Sequence, residues 1–249
     1  MVGTAIGSFL GVVIVRQTTN DKRQTTNIGG RSRCGSCKKQ LKWLDNIPLV
    51  SYVFLRGKCR TCRSPIPYWL PLIELAGGIG GIWVIREIGE IGVMGGIGAM
   101  LIAAALVWTL FSDLVYGVIP DLAIGIGAFG AILEKFAKLH TTIEGFANFI
   151  WPAAAAAGFF LFLVVITRGR GMGTGDVTLA AFLGLWLGWP KILPAIWLAF
   201  VLGAIVGLVL IGLKLKRFGQ TIPFGPFMIA GSIIAEIWGL TLLQLFLTI

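Results

Sequence analysis

Two aspartates beside long apolar runs are the residues of this sequence best suited to chemistry. Asp113 ends one apolar run, and Asp176 begins another after the turn Gly171-Met-Gly-Thr-Gly175. Placing an ionised aspartate at the centre of a bilayer costs about 2.5–3.5 kcal/mol on insertion scales. A carboxylate beside a membrane-spanning run therefore indicates a structural or functional role. Two carboxyl groups about 3 Å apart cannot both ionise, and such a pair can activate water. Asp113 and Asp176 are therefore a candidate catalytic pair.

A helix cap is the other interpretation of each aspartate taken alone. Asp176 could cap the helix that follows it, with Gly173 and Gly175 forming the preceding turn. Asp121, which follows Pro120, could cap its own helix in the same way. A phosphate-binding loop is excluded because the Walker lysine is absent and the motif lies against apolar sequence.

A second constellation consists of the four cysteines of the chain, arranged as two C-x-x-C pairs, Cys34-Gly-Ser-Cys37 and Cys59-Arg-Thr-Cys62. Two such pairs can supply four thiolates to one tetrahedral Zn²⁺, although the 21 residues between them slightly exceed the usual range of about 15–20. The zinc would be structural, because four thiolates leave no position for water. Two disulfides or unligated thiols are the alternative, and a reducing cytosol disfavours disulfides.

The net charge of +10 comes from the segment that holds the cysteines. Residues 16–70 carry twelve Lys and Arg against two acidic residues, which equals the whole net charge of the chain. We call this segment the cysteine module. Because it is flanked by apolar runs, its charge indicates a small soluble module on a membrane body, and a nucleic-acid partner is not expected.

The elements that must position these residues are membrane helices. The chain is 56% hydrophobic and only 13% charged, which is too apolar for a soluble domain of 249 residues. Several apolar runs approach the roughly 20 residues that a membrane span needs. They predict an all-α polytopic membrane protein of about eight transmembrane helices, surrounded by the lipid bilayer. The candidate spans are 1–15, 70–86, 91–112, 117–134, 149–167, 177–189, 191–213 and 223–248.

Orientation follows from the distribution of Lys and Arg among the loops. We expect Met1–Val15 to be a retained first span with its N-terminus outside, because no basic residue precedes it and no convincing cleavage site follows. The loops on the inner side then carry 17 Lys and Arg, and those on the outer side carry four. This bias predicts three parts: a first helix at 1–15, a cytosolic module at 16–70 and a membrane core at 71–249. It also predicts that both aspartates lie at the cytosolic face of the membrane.

The order of several short motifs resembles the type IV prepilin peptidase family, a GxGD class of intramembrane aspartic protease. The motifs run in family order from residue 7 to residue 227: Gly7-Ser-Phe-Leu10, the two cysteine pairs, Asn46-Ile-Pro48, Ser51-Tyr52, Leu55-Arg-Gly-Lys-Cys59, Pro71-Leu-Ile-Glu74, Asp113, Pro120-Asp121, Gly171–Asp176 and Ile222-Pro-Phe-Gly-Pro-Phe227. Gly11 and Gly35 depart from the family pattern, which usually has Asn and Pro there.

The resemblance implies an activity, its substrates and its residues. Asp113 and Asp176 would be the catalytic pair, and the substrate would be a prepilin or pseudopilin with a basic leader, a Gly before the cut and an apolar helix after it. It also implies N-methylation of the new N-terminus with S-adenosylmethionine, for which Glu74 is the position of interest. A helix-end carboxylate paired with a loop Arg is the alternative for Glu74.

The segment Ile222–Phe227 is expected to border the active site. Pro223 and Pro226 remove two amide donors and leave irregular backbone around Gly225, and such backbone at membrane depth must line a cavity or find partners. Together with Gly173 and Gly175 these residues would lie beside the substrate. A proline-rich helix start that packs on a neighbour is the alternative.

Two other classes of protein share part of this pattern. A proton- or ion-coupled transporter would account for intramembrane aspartates and glycine-rich spans, but repeated halves are not visible. A membrane scaffold with a zinc module would account for the cysteines but not for the aspartate pair. Substitution of Asp113 would separate these three classes of protein. It would stop cleavage by a peptidase, change the ion flux of a transporter and have no effect on a scaffold.

Overall fold

The computed structural model describes residues 2–18, 32–138, 143–169, 172–215 and 222–247. These residues are mostly helical, as predicted, and include no β-strand, only two isolated bridges in the cysteine module. A short 3₁₀ turn spans Trp43–Asn46. The α-helices are α1 Val2–Thr18, α2 Val50–Phe54, α3 Trp69–Tyr116, α4 Asp121–Lys138, α5 Ile143–Ile166, α6 Thr174–Leu187, α7 Ile192–Gly212 and α8 Gly225–Leu247.

Helix α3 is broken at Gly92 into two helices. Gly92 has φ 77° and ψ −175°, a backbone conformation open essentially to glycine alone. A methyl group added at Gly80 would lie 3.1 Å from the Ala103 side chain, so the two halves fold back on each other. The rings of Trp69 and Tyr116, at opposite ends of α3, meet edge-on with centroids 6.5 Å apart. This hairpin corresponds to the two expected spans at 70–86 and 91–112.

Glycines bring neighbouring helix backbones into close contact. A methyl group added at Gly7 of α1 would lie 2.6 Å from the carbonyl oxygen of Ile73 in α3. Three other glycines have equally little room for an added methyl group: Gly98 where α3 faces α4, Gly184 between α5 and α6, and Gly231 between α7 and α8. Close backbone contact is how helices associate in lipid, where no hydrophobic driving force operates between them. This packing accounts for glycines within the apolar runs.

The bundle has the surface of a membrane protein. Three helices are long and apolar enough to cross a bilayer, namely Trp69–Tyr116, Ala147–Ile166 and Ile192–Gly212, and Gly3–Val15, Thr174–Leu187 and Gly225–Gly239 are shorter apolar helices. Large apolar side chains such as Ile85, Val165 and Leu208 point outward and are exposed. Exposed apolar surface on several sides of a bundle is the pattern expected for contact with lipid.

Helix α6 lies at the centre of the bundle. It packs against α4, α5, α7 and α8, and its Leu179, Phe182 and Leu183 are almost fully buried. Phe160 of α5 and Ile102 of α3 belong to the same apolar cluster. A helix enclosed by protein in this way places Asp176, in its first turn, inside the bundle.

Candidate active site and metal centre

Asp113 lies in the last turn of α3 and is buried, with 6% of its surface exposed. The helix ends four residues later at Gly117, whose φ of 65° is the left-handed conformation common at helix ends. The Asp113 carboxylate accepts a hydrogen bond of 3.1 Å from the backbone N–H of Gly225, the first residue of α8. The sequence pointed to both residues but gave no signal for this bond between them.

Asp176 is the third residue of α6 and is 8% exposed. Its carboxylate accepts a hydrogen bond of 3.0 Å from the N–H of Gly173, the residue that precedes the helix. This bond satisfies one of the amide donors that every helix leaves free at its N-terminus. The helix-cap interpretation of Asp176 holds in a different form: Gly173 is the N-cap, and Asp176 bonds back to it from the third helical position. This bond leaves room for a second role, because Asp176 also acts electrostatically on Asp113.

The two aspartates meet at one end of the bundle. The Asp176 carboxylate acts electrostatically on that of Asp113, and both lie near the starts of α6 and α8. A methyl group added at Gly175 would lie 3.0 Å from Ile119, just beyond the end of α3, so these segments are in direct contact. Two carboxyl groups that interact in apolar surroundings favour a state in which one holds a proton and the other is a base.

Gly225 is a glycine because Asp113 occupies the space beside it. A methyl group at this position would lie 2.6 Å from Asp113 Oδ2 and 3.5 Å from the Leu179 side chain. Pro223 precedes α8, and Pro226 follows Gly225 in its first turn, where a proline removes only an amide that the helix cannot use. The irregular backbone expected at 222–227 thus finds one of its partners in the Asp113 carboxylate.

The four cysteines form a single cluster. The Sγ atoms of Cys34, Cys37, Cys59 and Cys62 all lie within 4.8 Å of one another, and none of the four is in a disulfide. The Sγ atoms of Cys34 and Cys62 are 3.8 Å apart. A tetrahedral ion with Zn–S bonds of about 2.3 Å places its sulfurs about 3.8 Å from one another. The donor set and spacing therefore fit one tetrahedral metal ion.

The two cysteine pairs are built alike. In each, the first cysteine donates its N–H to a carbonyl five residues ahead, Cys34 to Lys39 and Cys59 to Ser64, both at 2.9 Å. In each, the residue after the second cysteine has a left-handed backbone, with φ 57° at Lys38 and 56° at Arg63. Backbone N–H groups of Cys37 and Ser36 lower the pKa of the Cys34 thiol to about 6, which favours the thiolate that binds metal.

Glu74 connects the membrane helix to the cysteine module. Its carboxylate accepts a hydrogen bond of 2.7 Å from the backbone N–H of Leu49, the residue that precedes α2. Glu74 is thus a helix-end carboxylate bonded to backbone. It forms none of the ion pairs found among the described residues, so no loop Arg that the structure describes is the partner given to it by the alternative interpretation. The sequence did not predict this contact, because Leu49 and Glu74 are 25 residues apart.

A second group of charged residues was missed in the sequence. Glu87 and Glu134 are both buried, and Lys138 Nζ lies 3.3 Å from Glu87 and 2.5 Å from Glu134. Glu134 and Lys138 are four residues apart on α4, which is the one pairing signal in the sequence. These residues occupy the end of the bundle opposite Asp113, since α3 turns back at Gly92, and they take no part in the site above.

Comparison with known proteins gives the family. Residues 1–88 match the Bacterial Peptidase A24 N-terminal domain, and residues 100–208 match the Type IV leader peptidase family. A prepilin leader peptidase/N-methyltransferase from Burkholderia pseudomallei is 32% identical over 265 aligned residues, covering 93% of this chain and 82% of that protein. Proteins of the same description from Stutzerimonas stutzeri and Pseudomonas aeruginosa are 30% and 31% identical, each covering 96% of this chain and 89% of the relative.

The chain belongs to the type IV leader peptidase family. The resemblance drawn from short motifs is thereby confirmed, and the transporter alternative finds no support in these matches. No solved structure matches the chain.

Proposed function

We propose that this protein is an intramembrane aspartic endopeptidase that removes the basic leader of type IV prepilins or pseudopilins after a Gly residue. The observation that carries the proposal is the meeting of two buried aspartates, Asp113 and Asp176, at one end of a membrane bundle. The names of the relatives, prepilin leader peptidase/N-methyltransferase, supply the substrate class.

Water activation would use the two carboxyl groups in different protonation states. The ionised carboxylate removes a proton from a water molecule as it attacks the scissile carbonyl, and the protonated partner donates a hydrogen bond to the carbonyl oxygen. Gly225 holds Asp113 and Gly173 holds Asp176 through backbone N–H groups, which fixes both side chains before substrate arrives. Pre-orientation of this kind lowers the cost of reaching the reactive geometry.

The substrate would reach the pair from within the membrane. Its basic leader stays in the cytosol and its apolar helix in the bilayer, so its cut site lies at the cytosolic interface. The Gly before the cut weakens helix by about 1 kcal/mol relative to Ala and helps to open the backbone. Gly173 and Gly225 bond the two carboxylates, and Gly175, Pro223 and Pro226, within two residues of them in sequence, would border the extended cleavage segment.

Topology completes the proposal. The two halves of α3 with α1 and α4–α8 make eight crossings, with the N-terminus outside and the aspartates at the cytosolic face of the inner membrane. The 17-to-four distribution of Lys and Arg supports this orientation. The contact of Trp69 with Tyr116 supports a cysteine module on the same side as Asp113, because the module leads directly into Trp69.

Two cofactors belong to the proposal. Zn²⁺ would bind Cys34, Cys37, Cys59 and Cys62 and hold the cysteine module folded, since the described part of that module has almost no apolar core of its own. S-adenosylmethionine would supply the methyl group for the new N-terminus, as the names of the relatives imply.

The test of peptidase function is single substitution of each aspartate in full-length protein. Asp113→Asn and Asp176→Asn should each lower the rate of leader removal from a prepilin by at least about 1,000-fold, because each removes one half of an acid–base pair. Asp121→Asn is the matched control, since Asp121 is exposed in the first turn of α4. Near-normal cleavage by either variant of the pair would reject the proposed mechanism.

A further inference from the structure

Helix α2 of the cysteine module turns its apolar face outward. Val50, Val53 and Phe54 lie at i, i+3 and i+4, which puts them on one face of the helix, and they are 46%, 73% and 83% exposed. On the other face, Ser51 and Tyr52 line a cavity between the module and helices α1 and α3. A helix of a soluble module would bury its apolar face, so this exposed face indicates a contact outside the module.

Two cations follow this face in the chain. Arg56 and Lys58 are exposed, and neither forms an ion pair within the part of the chain that the structure describes. The Arg56 N–H donates to the Val53 carbonyl oxygen at 3.0 Å, and this turn keeps Arg56 beside the end of α2. Apolar side chains bordered by Lys and Arg are typical of segments that lie in a membrane interface. We call Val50, Val53, Phe54, Arg56 and Lys58 the α2 tip.

The hydrogen bond between Leu49 and Glu74 fixes the height of α2 relative to the membrane helices. Leu49 immediately precedes α2, and its N–H donates to the Glu74 carboxylate at 2.7 Å. Glu74 is the sixth residue of α3, about 7–8 Å along the helix axis from Trp69. Tyr68 and Trp69, where α3 begins, are of the aromatic type enriched at the level of the lipid headgroups. Helix α2 therefore begins at the level of the membrane interface.

We propose that the α2 tip docks on the bilayer that surrounds the bundle, with its apolar side chains among the acyl chains near the headgroups and its two cations at anionic lipid phosphates. The inference goes beyond the proposed peptidase function and rests only on a position of the module beside the membrane. Docking would hold the module against the membrane from the lipid side, as the bond between Leu49 and Glu74 does from the protein side.

Charge favours a lipid surface over the substrate as the partner. Residues 16–70 carry the whole net charge of +10, and an anionic leaflet attracts Lys and Arg that lie near its surface. The leader of a prepilin is itself basic, so the same cations would repel it. The apolar helix of a prepilin would cover Val53 and Phe54 but would leave Arg56 and Lys58 without a partner.

The first test maps the contacts of the α2 tip in full-length protein. Phe54 is replaced by the photoreactive residue benzoylphenylalanine, and the protein is placed in nanodiscs of phosphatidylglycerol and phosphatidylcholine in equal parts. The same crosslinker at Thr61, an exposed position between Cys59 and Cys62, is the matched control. Lipid adducts at position 54 should exceed those at position 61 by at least about fivefold. Equal lipid labelling at both positions, or a crosslink to added prepilin that displaces the lipid adduct, would overturn the proposal.

The second test removes charge at two places while the crosslinker stays at position 54. Arg56→Gln with Lys58→Gln removes two charges from the α2 tip. Lys38→Gln with Lys39→Gln, the control, removes two charges from the turn after the first cysteine pair, where both side chains are also exposed. The tip variant should lose the lipid label by at least about threefold, as should the parent in phosphatidylcholine alone, whereas the control should label as the parent does.

Metal content equal to that of the parent confirms a folded module in each variant. Equal losses of label in the two double variants would show that only total charge matters, and an unchanged label in the tip variant would show that its cations do not meet lipid. Either result would overturn the proposal. The labelling needs no cleavage, so it can be read whether or not the proposed peptidase function holds.

Discussion

The cysteine module and the helical bundle are held together in different ways. Among residues 32–68 whose side chains the structure describes, Cys59 alone is buried, and the order of the module depends on four clustered sulfurs, backbone turns and the hydrogen bond to Glu74. The bundle instead packs helix on helix through glycine contacts around buried apolar side chains. The aspartate pair draws its contacts from the bundle, whereas Glu74, the position of interest for methylation, is bonded to the module. The two chemistries should therefore be separable.

Removal of the metal should have the largest effect and should divide the two activities. A chelator, or Cys37→Ser, would release the module because its fold depends on the ligated sulfurs. We expect methyl transfer to fall below about 1% of the parent rate, while leader cleavage stays within about threefold, since no atom that holds Asp113 or Asp176 belongs to the module.

Metal analysis accompanies this experiment and should give about one zinc per chain in the parent. Thr61→Ala is a suitable control, because Thr61 lies between the ligands Cys59 and Cys62 and is exposed. Equal loss of cleavage and methyl transfer would contradict the separation of the two regions.

Gly225→Ala should have the opposite effect, lowering leader cleavage and leaving methyl transfer intact. The added methyl group would lie 2.6 Å from Asp113 Oδ2, so either α8 or the carboxylate must shift. A displacement of about 1 Å in a catalytic group can cost roughly 100-fold, and we expect cleavage to fall by about 10–100-fold. Methylation of a pilin peptide that is already cleaved should be unchanged.

Gly158→Ala provides the control for that substitution, because Gly158 lies in α5 with nothing within 4 Å of an added methyl group. A Gly225→Ala variant with parental cleavage would show that Asp113 tolerates movement and that α8 does not position it.

Glu74 lies at the boundary between the two regions, and its effect should be smaller. Glu74→Gln retains an oxygen that can accept the Leu49 N–H but loses the negative charge, whereas Glu74→Ala loses both. We expect Gln to lower methyl transfer about tenfold through the charge alone, in the range of one charge-assisted contact. Ala should in addition expose the module to proteolysis. Parental methyl transfer with Gln would restrict Glu74 to positioning the module.

The sequence predicted the features that depend on local pattern. Helix type, both candidate aspartates and the cysteine cluster follow from hydrophobic runs, isolated charges and the spacing of C-x-x-C pairs. It did not predict the bonds from Gly225 to Asp113, 112 residues apart, or from Leu49 to Glu74, because such contacts depend on how distant helices pack. The buried Glu87 and Glu134 were overlooked for the same reason, since only packing buries them.

Gly7→Ala should have the smallest effect on activity and should test how the bundle itself is stabilised. The added methyl group would lie 2.6 Å from the Ile73 carbonyl oxygen in α3, and the contact is with backbone that cannot move aside as a side chain would. Forcing extra volume into a well-packed site costs about 1–3 kcal/mol, so we expect a lower melting temperature in detergent. Gly125→Ala in α4 is the control, because nothing lies within 4 Å of its added methyl group. Since Gly7 contacts neither aspartate, cleavage and methyl transfer per folded molecule should both stay within about twofold of the parent. An unchanged melting temperature would mean that the contact of α1 with α3 contributes little to stability, and that the glycines along it have another cause.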